Sequence, residues 1–260
     1  MIDGGIFIDK DPTSGLGGDS AVAIARLDRF AVDRALAASF KAIYFDEREG
    51  NEATAEFCAA SGGRLLPTAA INMLGYDPGA DRLAEIASGP FLAAALFPTF
   101  QNWTWTDYVV EVFARDCAKL GFPILAGIWS RQDLAAVARH VLPAGGKVLV
   151  RWMRGSGYNN VPDIIAVAMD HPNVCFDIST ITQSGGIERL VERLGADRLF
   201  LASGMPLVAE GASYFMLEGA RIPDSDRRMI QGGTLARALG IEADPASAPD
   251  THLWQTFRDI

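Results

Sequence analysis

The sequence predicts an α/β protein, a single (β/α)8 barrel of the TIM type with room for distortion. Three observations predict it. Short apolar, β-rich runs recur along the chain, each is followed by apolar residues at helical spacing, and eight such units fit within 260 residues. Strands alternating with helices pair in parallel through right-handed crossovers, and eight units close on themselves. An open doubly wound sheet is the alternative, but no GxGxxG or GxxxxGK(S/T) follows any of the runs.

The expected strands are Gly4–Asp9, Lys41–Asp46, Leu65–Ile71, Leu92–Phe97, Pro123–Ile128, Lys147–Trp152, Val174–Ile178 and Leu199–Ala202. Between them, Val109, Val112, Phe113, Cys117 and Leu120 make a helical stripe stopped by Gly121. Ile187, Leu190, Val191 and Leu194 make another, stopped by Gly195. Pro223-Asp224-Ser225-Asp226 offers a capped start for a last helix through Met229, Leu235 and Leu239. The whole of 1–260 reads as one domain, with 242–260 as an extended, proline-bearing tail.

Composition bounds the function. Hydrophobic residues are 49% and charged residues 21%, enough for a substantial core. A net charge of −9 opposes a phosphate backbone, so no nucleic-acid partner is expected. The three cysteines, Cys58, Cys117 and Cys175, are far apart and form no CxxC, which suits reduced core residues. No stretch reaches 18 apolar residues and the first residues lack a secretory pattern, so no membrane association and a cytoplasmic location are expected.

In such a barrel, chemistry sits where strands end. Those positions are Phe7 and Asp9; Asp46 and Glu47; Asn72; Thr99; Gly127, Trp129 and Ser130; Trp152 and Arg154; Asp177, Ser179 and Thr180; Ser203, Gly204 and Met205. Histidine is absent from the set, and His140, His171 and His252 fall in a helix, a loop and the tail.

The stretch from Ile187 to Pro206, with Gly195-Ala196-Asp197-Arg198-Leu199-Phe200 and Ala202-Ser203-Gly204-Met205-Pro206, is the most telling part of the chain. With Asp224 to Ile241 and His171-Pro172-Asn173-Val174-Cys175-Phe176-Asp177, it resembles the amidohydrolase-related TIM-barrel family. Ile2-Asp3 and Phe122-Pro123-Ile124-Leu125 are weaker echoes. The resemblance implies decarboxylase or lactonase chemistry on small aromatic or dicarboxylic acids. It also implies a divalent metal held by an HxH pair on strand one, a His on strand five, an Asp on strand eight and a second His closing strand six. Here those positions fall on Gly5 and Phe7, Gly127, Gly204 and Trp152. None offers a donor, so neither a metal nor any other cofactor is expected.

Ligand side chains replaced by glycine leave space, and Phe7 and Trp152 are the expected fillers, either as plain core or as walls of an apolar ligand pocket. Asp46, Asp177 and Arg154 are the candidate catalytic residues. Arg154 offers a guanidinium fork to a carboxylate, and its plain alternative is a surface ion pair. Asp177 reads equally as a structural hydrogen-bond acceptor, and Asp46 as a solvated loop acid. Asp9, Trp103, Trp105, Trp129, Trp152 and Phe7 are candidate substrate contacts, although the tryptophans suit packing or a subunit interface as well.

The expected function is a metal-independent hydrolase or lyase-like enzyme acting on a small ring compound, carboxylated in one version. The alternative is an inactive barrel that binds a ligand or stabilises a partner subunit, including a second copy of itself. A third reading keeps a hard cation on Asp9, Asp46 and Glu47.

Overall fold

The computed structural model describes residues 1–79, 81–153, 161–208 and 211–242. Its strands are β1 (Ile2–Lys10), β2 (Gly17–Gly18), β3 (Arg34–Ser39), β4 (Leu65–Pro67), β5 (Ala69–Ile71), β6 (Ala94–Leu96), β7 (Ile124–Ile128), β8 (Val148–Trp152), β9 (Val174–Asp177) and β10 (Leu199–Phe200). They form one sheet in the order β2-β1-β3-β4 and another in the order β10-β9-β8-β7-β6-β5. Pairing is parallel except for the short β1–β2 hairpin edge.

Backbone hydrogen bonds join the sheets at both edges. Between β4 and β5 only Thr68 intervenes. Its N–H and its hydroxyl both donate to Ala37 O at 2.9 Å, while Leu92 N–H donates to Pro67 O and Ala69 N–H to Ala93 O. At the other edge Gly4 N–H donates to Leu201 O (2.7 Å), Gly204 N–H to Gly5 O (3.1 Å) and Phe7 N–H to Met205 O (2.7 Å). Eight strand paths therefore run in a ring, as the alternating pattern predicts.

Strand residues alternate between two apolar layers, because successive side chains point to opposite faces. Phe7, Ala70, Ala95, Leu125, Leu149 and Phe200 pack inside the ring. Ile6, Ala69, Leu96, Ala126, Val150 and Phe176 pack outward against the helices. Alanine and glycine at many inward positions leave room for the few large groups that fill the centre.

The helical stripes appear as Tyr108–Leu120, ended by Gly121 at φ 64°, and Gly186–Leu194, ended by Gly195 at φ 84°. Two expectations need correction. The second strand is β3, not Lys41–Asp46. Its Ala-rich run has weak strand propensity, whereas Ile43, Tyr44 and Phe45 look strand-like. Ser39 ends the strand instead, its hydroxyl accepting from Ala42 N–H (3.0 Å) and opening a short helix, Phe40–Tyr44. The last helix is also broken. Asp224–Arg228 passes through a wide turn, Met229–Gly233, before Thr234–Leu239. No helix among the described residues is long and apolar enough to cross a membrane.

Candidate active site at the mouth of the barrel

The inward residue near the end of β8 is Arg151, paired in register with Gly127 of β7. Alternation then puts its neighbour Trp152 outside, where the indole packs between strands and helices. The expected filling of the centre by Trp152 is therefore off by one residue. Arg151 is only 1% exposed, and its Nε and Nη2 find no hydrogen-bond acceptor among the described residues. Its guanidinium lies 4.8 Å from the centre of the Phe7 ring, in cation–π contact.

Two buried carboxyls act on this cation at longer range, Asp177 from β9 and Asp3 from β1. Each is bonded elsewhere. Asp177 accepts from Ser179 N–H (2.8 Å), Ser179 Oγ (2.5 Å) and Ala202 N–H (3.1 Å), tying β9 to the segment that follows β10. Asp3 accepts from Gly5 N–H, Ser203 N–H and the Tyr214 hydroxyl. Burial raises Asp177 to about 7 against the opposing pull of Ser179 and Arg151. Burial likewise raises Asp3, and it lowers Arg151.

Above the cation the mouth is aromatic. Phe7 stacks on Phe40 (4.9 Å between centres, 17°) and meets Phe97 and Phe100 at 5.6 and 6.4 Å. Phe100 in turn meets Tyr44 at 5.2 Å and Trp129 edge-on at 5.3 Å. Phe7 and Trp129 thus belong to one aromatic cluster, linked through Phe100. Trp103 and Trp105 do not. They form an edge-to-face pair at 5.3 Å in the outer layer, both buried, with Trp103 Nε1 donating to Gln101 Oε1.

The other expected residues divide. Asp46 is exposed, and its carboxylate accepts from Glu49 N–H (2.8 Å) as the N-cap of the helix Glu47–Ala60. The shift of strand two explains this, since Asp46 follows a helix and not a strand end. Asp9 sits at the rim with φ 69°, raised by burial and held by Ser39 and Lys41. Glu47 accepts from Asn72 N–H and Arg82 Nη2, on the wall of a separate cavity of about 250 Å³ beside Tyr76 and Leu83. Arg154 lies outside the described residues. Sequence reasoning missed Arg151 because it looked one residue further along the strand. The inward parity of Leu149 was the signal that could have found it.

No protein-family model matches the chain, and no curated protein does. Solved structures match it well. The 2,6-dihydroxybenzoate decarboxylase from Rhizobium superposes with a TM-score of 0.70 at 14% identity, covering 92% of this chain and 97% of that one. The 5-carboxyvanillate decarboxylase from Sphingomonas paucimobilis gives 0.65 at 15% identity over 84% and 82%. A zinc-bound amidohydrolase from Burkholderia multivorans gives 0.67 at 14% identity over 93% and 99%. The likeness shows a TIM-barrel fold, the fold these decarboxylases and amidohydrolases share with this chain.

The amidohydrolase-related resemblance implies a divalent ion, and the residues present do not fit one. Neighbours pack closely against the glycines at the positions where the resemblance expects ligands. A Cβ on Gly5 would lie 2.3 Å from Arg151 Nη1, one on Gly127 3.0 Å from Met153 Sδ, and one on Gly204 2.8 Å from Val208 Cγ2. Among the described residues no three His, Cys, Asp or Glu side chains converge. The cation on Asp9, Asp46 and Glu47 has no such cluster to hold it either.

Proposed function

We propose that this barrel is an enzyme of lyase or hydrolase type acting at its mouth on a small carboxylated ring compound, with Asp177 as the group that carries a proton. The observation behind this reading is a buried carboxyl, poised near neutral pH at a strand end, facing a buried cation that packs on a cluster of aromatic rings. The half-buried rings of Phe100 and Trp129 offer faces and edges on which an aromatic substrate can pack. The likeness to decarboxylases of 2,6-dihydroxybenzoate and 5-carboxyvanillate supports the substrate class.

The test is a panel of hydroxylated and carboxylated benzoates, assayed for released carbon dioxide, alongside ring lactones assayed for opening. Asp177→Asn should lower turnover by roughly a hundredfold or more while leaving ligand binding in place. Unchanged turnover in that variant would remove Asp177 from the chemistry. One observation favours a second reading, a barrel that binds without reacting: Phe7 and Arg151 are 3% and 1% exposed beneath neighbouring groups. Binding by the panel with no turnover of any member would select it.

A further inference from the structure

We infer that Arg151 is the seat of a single carboxylate or similar oxyanion, an organic cation built into the place that the family resemblance assigns to a metal ion. The inference deepens the reading of the mouth as a ligand site and rests on it. Four observations converge. Arg151 is buried and two of its donor nitrogens lack acceptors among the described residues. A buried charge with incomplete hydrogen bonding is costly, and a hydrophobic residue of similar volume would fill the same space at less cost. The two carboxyls that act on it, Asp3 and Asp177, are committed to Ser203, Tyr214, Ser179 and Ala202. The space around the guanidinium is made by glycine, since a Cβ at Gly5 would stand 2.3 Å from Nη1 and one at Gly204 3.5 Å from Nη2. A fork whose Nε and Nη2 have no acceptor among the described residues is the arrangement that an incoming carboxylate completes.

The experiment uses the full chain, Arg151→Met and Arg151→Lys, with formate and benzoate as anionic probes and formamide and benzamide as neutral counterparts. Thermal unfolding and calorimetric titration are the readouts. Wild type is expected to gain stability with formate and benzoate but not with the amides. Arg151→Met should lose that difference, and without any anion it should melt above wild type, because a buried charge with unpartnered donors is gone. Should Arg151→Met fail to fold, Arg151→Lys decides the matter: keeping the charge and losing the fork, it should weaken benzoate binding about tenfold or more. A structural arginine behaves oppositely, its removal lowering the melting temperature while the anion response persists. Either of those results would overturn the inference, as would equal responses of wild type to benzoate and benzamide. Formate separates this idea from the functional reading. A lost formate response with ring acids still turned over sinks Arg151's role alone, whereas a retained response with no ring acid bound or turned over sinks the substrate class alone.

Discussion

At the scale of single residues, the centre of the barrel is a steric bargain between Gly5 and Arg151. Gly5→Ala places a methyl 2.3 Å from Nη1, so the guanidinium must leave its seat against Phe7. That substitution should cost about 1–3 kcal/mol, by overpacking, in urea denaturation and should abolish the benzoate response. Asp177 gives a pH prediction. Its folded value of about 7 exceeds the ordinary Asp value, so the folded chain holds a proton that the unfolded chain releases. Stability contributed by this group is therefore full below the ordinary Asp range, falls as pH rises towards about 7, and levels off beyond. The loss is at most about 4 kcal/mol. Asp3 is raised by burial in the same sense, so the measurement is the difference between wild type and Asp177→Asn, whose stability should decline less steeply over that range.

At the scale of elements, the turn from β3 into the helix Glu47–Ala60 sets which acids reach the mouth. Ser39 stops the strand, Phe40–Tyr44 coils at once, and Asp46 caps the next helix. Asp46→Ala should thus lower stability by about 1 kcal/mol, through the lost cap, with benzoate binding unchanged. A fall in binding of tenfold or more would return Asp46 to the site. The helices stopped at Gly121 and Gly195 were legible because stripe and stop signal coincide, and so were the strands with β-branched runs. β3 was not, because Ala35, Ala37 and Ala38 carry little strand propensity and only packing against both layers makes them a strand. Strand parity decided the site. A register one residue late at β8 selects Trp152 and Arg154 and passes over Arg151, since neighbours on a strand face opposite ways.

At the scale of the whole molecule, ring closure brings residues distant in sequence to one point. Asp3 and Ser203 bond across 200 residues, and the same seam aligns Gly5 with Gly204 beside Arg151. This convergence is invisible to local pattern, although the family resemblance pointed to the same strand ends. It also supports a prediction about metals. Purified protein dialysed against zinc or manganese should retain clearly less than one equivalent by elemental analysis, because no three suitable ligands meet among the described residues. Stoichiometric retention with a gain in melting temperature would show a site assembled from other groups.

The contact between Gly5 and Arg151 also constrains how such a barrel can change over generations. A side chain at position 5 evicts the arginine, whereas a slimmer residue at position 151 frees the space that a Cβ at position 5 would need. The order of change is therefore set by sterics: position 151 can shrink first, and only then can position 5 carry a side chain.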